Sequence, residues 1–181
     1  MSADGSGTST STGVSASQSE RLYLGDLPLD KTFVTSGRTI TEADVVAFAS
    51  QTGDWHPQHA DAHWAADSPF GERIAHGMLV LSYAVGLVPF DPERVVALRR
   101  IDDAVFKRPV HLGDTIRVRG MITALQPVSD DAGLVTFAWT VVNQEGRTVV
   151  RARVDVVWRR DAPVAPGPFE PAENGFVPVP L

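Results

Sequence analysis

One apolar segment constrains the fold of this chain more than any other part of its sequence. It runs from Gly77 to Phe90 and reads GMLVLSYAVGLVPF. A helix over about residues 75–88 would carry large apolar side chains on every face, so it is expected to be buried against other elements and not laid on a surface. The side chains distributed around it are Met78, Leu79, Leu81, Tyr83, Val85 and Leu87. The run is too short to span a bilayer, so no membrane partner is expected.

The sequence periodicity changes to two after this helix, which indicates β-strands. GDTIRVRGMITAL alternates from Thr115, and TVVRARVDVVW places apolar side chains on one face and charged ones on the other. The turn residues NQEG, 143–146, precede the last strand and predict an antiparallel hairpin. With KTFVTSGRTI and VVALRRIDDAVF, about five strands are expected. The predicted class is α+β, an antiparallel sheet curled around the apolar helix.

The folded domain is expected to cover residues 21–160. Residues 1–20 contain almost no large apolar side chain and are predicted to form a disordered N-terminal tail. Residues 161–181 are rich in proline and are interpreted as a C-terminal extension without regular structure. A chain of 181 residues can bury one substantial core.

Charge and composition exclude several classes of protein. The formal net charge is -6 with no basic stripe, so nucleic acid is an unexpected partner. The chain has no cysteine, which removes disulfides and thiolate metal ligands. No secretory signal is recognisable at the N-terminus, and a soluble, cytoplasmic protein is expected.

A polar stretch, TGDWHPQHAD, follows a helix that the sequence delimits at both ends. Thr41 and Asp44 have the spacing of a capping box, and Gly53 can adopt the left-handed conformation that ends a helix. Within the stretch, Pro57 biases His56 toward an extended conformation, so the chain is expected to fold over after Gly53.

A metal site is one interpretation of this stretch, with His56, His59 and His63 as ligands and His76 nearby in the sequence. The spacing argues against it. Only His59 and His63 are four residues apart, and Pro57 interrupts the geometry between His56 and His59. The chain lacks the HExxH pattern, so no metal is expected.

Proton transfer requires only that Asp54 and His59 converge on one water molecule or one substrate carbon. The structural alternative is that Asp54 caps a turn and that His59 caps a short helix at DAHWAAD, and the spacing alone leaves both open. Gly77 stands near the start of the apolar helix, where free backbone N–H groups suit an oxyanion. Taken alone, a glycine at this position is more often explained by close helix packing.

Three stretches in this order, GDWHPQHAD, ERIAHGML and FKRPVHLGDTIRV, resemble the MaoC-like dehydratase family, which includes the (R)-specific enoyl-CoA hydratases. The similarity runs from about Leu22 to Trp158. It implies a hot-dog fold, usually paired as a dimer, with Asp54 and His59 as the catalytic pair and Gly77 in the oxyanion hole. His56 replaces an asparagine found in many hydratases, so a pocket of different shape and charge is expected near the water site.

The resemblance implies reversible hydration or dehydration of an acyl thioester carried by coenzyme A or an acyl carrier protein, without a metal or redox cofactor. His56 and His76 are further pocket residues. Lys107 and Arg108 are candidates for contacting a carrier phosphate, although a solvated strand end explains them as well. Two other functions stay open: a hot-dog thioesterase and a non-catalytic acyl-thioester binding domain. A homodimer is the expected assembly.

Overall fold

The computed structural model describes residues 22–161. The predicted tail, residues 1–20, and all but the first residue of the predicted C-terminal extension lie outside this range, so both boundaries stay predictions. Within the range, no helix has the length and apolar character needed to cross a membrane.

Six strands form one antiparallel sheet within the described residues. They pair in the order β1-β4-β5-β6-β3, and β2 also pairs with β4. Their bounds are β1 Thr32–Val34, β2 Arg38–Thr39, β3 Val95–Phe106, β4 Thr115–Pro127, β5 Ala132–Val142 and β6 Thr148–Arg159.

The stretch KTFVTSGRTI, expected to be one strand, is divided into β1 and β2. The backbone N–H of Val118 donates to the hydroxyl of Thr35 (3.0 Å) instead of to a strand carbonyl, which interrupts the ladder at this point. The hairpin between β5 and β6 is confirmed, with Gly146 in the left-handed region (φ 75°). Asn143 closes this turn by accepting hydrogen bonds from the N–H groups of Glu145 and Arg147.

Four α-helices lie between β2 and β3. They are α1 Glu42–Thr52, α2 Pro57–Ala60, α3 Ala62–Ala66 and α4 Gly77–Leu87, and a short 3₁₀ turn covers Leu24–Asp26. The predicted bounds of α1 are confirmed. Thr41 and Asp44 form the reciprocal capping box, and Gly53 ends the helix with a φ of 77°.

The sheet packs its apolar face on α4, which buries Leu79, Val80, Leu81 and Ala84. This arrangement confirms the expected α+β hot-dog fold, in which a sheet wraps around a central helix. The sheet residues buried in the same cluster include Val118, Val135, Phe137, Trp139, Val154, Val156 and Trp158.

The expectation that α4 is buried on every face is wrong for a single chain. Met78 is 56% exposed, and Ser82 and Gly86, at successive intervals of four residues, are exposed as well. The sheet covers one side of the helix and leaves this stripe in contact with solvent. The helix also begins at Gly77 and not at Ala75, because Ala75 donates its N–H to the carbonyl of Val110 (2.8 Å).

Candidate active site

A cavity of about 650 Å³ lies beside the N-terminal end of α4. Residues from the segment after α1, from α2, from α4 and from the end of β3 line it. Its polar lining is made of Thr52, Asp54, Gln58, His59, His76, Lys107 and Arg108. Its apolar walls include Phe48, Phe70, Met78, Val80, Phe106 and Val150.

The end of α1 places Asp54 at the cavity. Gly53 reverses the chain, and Asp54 follows as an exposed residue whose carboxylate accepts the N–H of His56 (3.3 Å). The backbone carbonyl of Asp54 accepts a second hydrogen bond, from Nε2 of His76 (2.9 Å). The carboxylate therefore faces the cavity while the peptide group behind it is held by the protein.

The one-turn helix α2 places His59 opposite Asp54. Pro57 occupies its first position, and Nδ1 of His56 caps it by accepting the N–H of Gln58 (3.2 Å). His59 is buried, and its Nδ1 lies 2.7 Å from the carbonyl oxygen of Ile74. Because a carbonyl can only accept, Nδ1 carries the proton and Nε2 carries the lone pair.

The lone pair on Nε2 of His59 has a partner in this structure. The side-chain amide of Gln58 lies 3.0 Å away and donates to it. Burial lowers the pKa of His59 below its ordinary value of 6.5, and the neighbouring imidazoles of His76 and His56 lower it further. The hydrogen bond to Ile74 and the charge of Asp54 act in the opposite direction. The net result favours a neutral imidazole at neutral pH, which is the form that can accept a proton.

The start of α4 supplies N–H groups that have no acceptor within their own helix at the same place. The first hydrogen bond of the helix runs from Val80 to the carbonyl of His76 (3.2 Å), so the N–H of Gly77 has no acceptor inside the helix. A Cβ atom at position 77 would lie 2.8 Å from the ring of Phe106. Glycine is thus required here for close approach, and the helix end stays open to the cavity beside that ring.

Asp54, His59 and His76 form a group whose polar atoms lie within 4.8 Å of one another. Such a set could in principle bind a metal ion, but the rings of His59 and His76 are stacked 3.8 Å apart with an angle of 27° between their planes. Imidazole binds a metal through a lone pair in the ring plane at about 2 Å, and stacked rings direct these lone pairs side by side. The arrangement suits proton transfer better than metal binding.

The structure brings four of the predicted site residues to one cavity: Asp54, His59, Gly77 and His76. The predicted alternative that His59 caps a helix is wrong, since the side chain of Asp61 caps α3. His56 does not line the cavity in the described part of the chain, and it contacts Trp64 with its ring. His63 is exposed on α3. Lys107 and Arg108 line the cavity at the end of β3.

Sequence reasoning missed two residues that shape the site. Gln58 occupies the variable position of the motif before His59, and no spacing rule indicated that its amide would reach the ring of its neighbour. Phe106 lies 29 positions after Gly77, and only the fold brings its ring onto the start of α4. Its position at the end of the predicted strand VVALRRIDDAVF, next to Lys107, was the signal available.

A sheet wrapped around one helix defines a hot-dog domain, and in this domain a carboxylate and an imidazole line the cavity at the start of that helix. The chain belongs to the family of MaoC-like domains, whose family model matches residues 27–142.

Several relatives support this assignment. The chain is 41% identical over 100 residues to Protein MaoC of Klebsiella aerogenes, a match that covers 55% of this chain and 30% of that protein. It is 36% identical over 109 residues to the 3-hydroxybutyryl-CoA dehydratase of Methylorubrum extorquens, covering 59% and 67%. The crystal structure of a MaoC-like dehydratase from Rhodospirillum rubrum superposes with a TM-score of 0.69 at 26% identity, covering 77% of this chain and 98% of that one.

Proposed function

We propose that this protein is a hydro-lyase that adds water to an enoyl thioester, or removes water from a 3-hydroxyacyl thioester. One observation carries the proposal: Asp54, His59 and the open start of α4 meet at one cavity. The names of two relatives, a 3-hydroxybutyryl-CoA dehydratase and a MaoC-like dehydratase, agree with that chemistry.

In the hydration direction, Asp54 and His59 hold one water molecule between them. The water oxygen bonds to the β-carbon of the substrate, and Nε2 of His59 accepts the proton that the water loses. The π electrons of the carbon–carbon double bond move toward the thioester oxygen. As these electrons return, the proton held by His59 is transferred to the α-carbon, which restores the neutral imidazole. Dehydration reverses these steps and releases the β-hydroxyl group as water.

The start of α4 stabilises the negative charge that develops on the thioester oxygen during this reaction. The N–H of Gly77 has no acceptor inside the helix, and the helix dipole adds a partial positive charge at the same end. Loss of a comparable donor costs on the order of 3 kcal/mol in other enzymes. No metal or redox cofactor enters this proposal.

Gln58 must give up its hydrogen bond to His59 before water can take that place. Its amide donates to the same lone pair that would accept the water proton. In this structure the basic nitrogen of His59 is therefore occupied by Gln58. Binding of a substrate and water that offer Gln58 another acceptor would free His59 without ionising either residue.

The substrate in this proposal is an acyl thioester carried by coenzyme A or an acyl carrier protein, and the assembly is a homodimer. Edge strand β3 exposes Val96, Leu98, Val105 and Phe106, and Met78 on α4 is exposed beside the cavity. An apolar edge strand of this kind is normally covered by pairing. A second copy of the chain would cover it and complete the wall of the cavity.

Incubation with crotonyl-CoA tests the proposed reaction. Loss of the enoyl absorbance without release of thiol would support hydration. Release of free coenzyme A would indicate a thioesterase, and binding without turnover would indicate an acyl-thioester binding domain. A panel of longer enoyl thioesters belongs in the same experiment, so that a negative result does not depend on one short chain.

A further inference from the structure

His76 precedes α4 but does not cap it. It occupies the N-cap position, where a polar side chain normally accepts N–H groups of the first turn, yet its side chain makes no such bond. The residue is only 2% exposed. Its Nε2 instead reaches the carbonyl oxygen of Asp54, 22 positions earlier in the chain. The buried imidazole therefore serves a contact outside its own helix.

The three residues before Gly77 hold both members of the proposed catalytic pair. Ile74 accepts a hydrogen bond from Nδ1 of His59 and donates its N–H to the carbonyl of Gln58 (3.1 Å). His76 holds the peptide carbonyl of Asp54. The segment is itself held by the connection between β3 and β4, because the N–H of Ala75 donates to the carbonyl of Val110. One short segment thus relates the positions of Asp54, His59 and the start of α4.

The ring of His76 also supports the ring of His59. The two imidazoles are stacked with centroids 3.8 Å apart, and the ring of Phe48 contacts His76 at 5.0 Å. Stacking restricts the rotation of His59 about its side-chain bonds, and the hydrogen bond to Ile74 fixes the remaining orientation.

The hydrogen bonding of His76 argues against a role in proton transfer. Its Nε2 donates to a carbonyl, so the lone pair of the neutral ring lies on Nδ1. That atom is buried and has no hydrogen-bond partner within residues 22–161. A proton on Nδ1 would create a buried charge without an acceptor, directly beside His59.

We propose that His76 is a positioning residue of this active site, which holds the backbone of Asp54 and the ring of His59 in the geometry that the reaction requires. The inference rests on the proposed function, because the consequence for turnover depends on the roles given to Asp54 and His59. The geometric part, that His76 determines the environment of His59, can be measured without any substrate.

Two substitutions separate positioning from folding. H76N keeps a residue type that is favoured at the N-cap, so α4 is expected to form, but its short amide neither reaches Asp54 nor stacks on His59. H76Q carries an amide long enough to donate to the Asp54 carbonyl again. H63Q changes an exposed histidine outside the cavity and is the matched control.

Turnover of an enoyl thioester should fall by roughly tenfold to a hundredfold in H76N, mainly in kcat, because small displacements of reacting groups carry costs of this size. H76Q should recover part of this loss, and H63Q should match the wild type. A kcat of H76N within about twofold of wild type would overturn the proposal.

Titration of His59 by NMR gives the second readout. The charged and titratable groups that face this ring are Asp54 from the segment after α1, His56 from the start of α2 and His76 from the start of α4, with Lys107 and Arg108 further along the cavity. Burial is the largest cause that lowers the pKa of His59, and the stacked ring of His76 covers one face of that imidazole. H76N should therefore admit water to this face, raise the pKa of His59 and move the acidic limb of the pH–rate profile to higher pH.

A lower melting temperature of H76N with an unmoved His59 titration would indicate a purely structural role and would also overturn the proposal. If the wild-type protein turns over no enoyl thioester, the proposed function fails separately. The His59 titration in H76N then decides the geometric claim alone: a raised pKa supports it and an unchanged pKa contradicts it.

Discussion

The two residues of the proposed catalytic pair, Asp54 and His59, lie in opposite environments, since Asp54 is exposed and His59 is buried. Asp54→Asn preserves size and removes the charge, so we expect turnover of an enoyl thioester to fall on the order of a hundredfold or more, with little change in melting temperature. His59→Gln should behave similarly. In the proposed mechanism both residues act on one water molecule, so the double mutant should lose much less than the product of the two single effects.

The controls for this experiment are His56→Ala, His63→Ala and a chelator. If a metal were the catalyst, chelation would inactivate the wild-type protein, and the His56 and His63 substitutions would be as damaging as His59→Gln. If Asp54 only closed a turn, Asp54→Asn would lower the melting temperature and leave activity intact. Near wild-type turnover of Asp54→Asn would falsify the catalytic assignment.

Gly77 offers a test of the proposed oxyanion site. Gly77→Ala places a Cβ where the Phe106 ring now lies, so either the ring or the start of α4 must move. We expect kcat to fall by roughly tenfold or more, since the N–H would no longer point to the same place. In a Phe106→Ala background the added methyl group has room, so the same change should have little effect there. Equal losses in the two backgrounds, measured by steady-state kinetics, would argue against this account.

At the scale of elements, a polar contact joins α1 to α4. The carboxylate of Asp44 accepts hydrogen bonds from Tyr83 (2.6 Å), from Arg38 (2.9 Å) and from the N–H of Thr41 (2.8 Å). Burial alone would raise the pKa of Asp44, but these hydrogen bonds outweigh it and hold the pKa well below its ordinary value of 3.8. The guanidinium of Arg38 lies 3.8 Å from the centre of the Tyr83 ring. Because α1 ends just before Asp54, this contact also helps to fix the position of Asp54 at the cavity.

Tyr83→Phe should lower the free energy of unfolding by about 1.5–3 kcal/mol, the usual contribution of a hydrogen bond to a charged group.

The contribution of Asp44 to stability depends on pH with a definite sign. A carboxyl with a lowered pKa in the folded state stabilises the fold above its unfolded pKa, and this contribution is lost as the pH falls. Urea unfolding should therefore show the full difference between the wild type and Asp44→Asn at pH 7, and this difference should shrink progressively as the pH falls below the unfolded pKa of about 4. A constant difference down to pH 2 would contradict this contribution from Asp44.

For the whole molecule, the prediction is a homodimer that covers β3 and the exposed stripe of α4. Val96, Leu98 and Phe106 are each between 44% and 52% exposed, and Met78 is 56% exposed. Leu98→Lys should weaken the dimer, because it places a charge on the apolar edge strand. Sedimentation of the wild type at micromolar concentration should show a dimer and that of the variant a shift toward monomer. Val128→Lys, an exposed residue just after β4, is the control. A stable wild-type monomer would contradict the prediction.

Local signals in the sequence were sufficient to predict several elements and both ends of α1. The alternation of apolar and polar residues predicted β4 and the hairpin β5–β6. The capping box at Thr41 and the glycine at position 53 predicted both ends of α1. These features depend on neighbours along the chain, which is why residue patterns were sufficient. Asp54 and His59 were also proposed as a pair from the sequence, because Pro57 favours a fold-over between them and because the surrounding motif resembles that of MaoC-like dehydratases.

Tertiary structure alone decided which groups meet at the site. The contact of His76 with Asp54 spans 22 positions, and Phe106 reaches Gly77 from the end of another element. It also decided that α4 is covered on one side only, although its apolar sequence predicted burial all round. The apolar residues along a chain indicate how much surface must be buried. Which elements bury it, and on which side of the helix, depends on how distant parts of the chain pack.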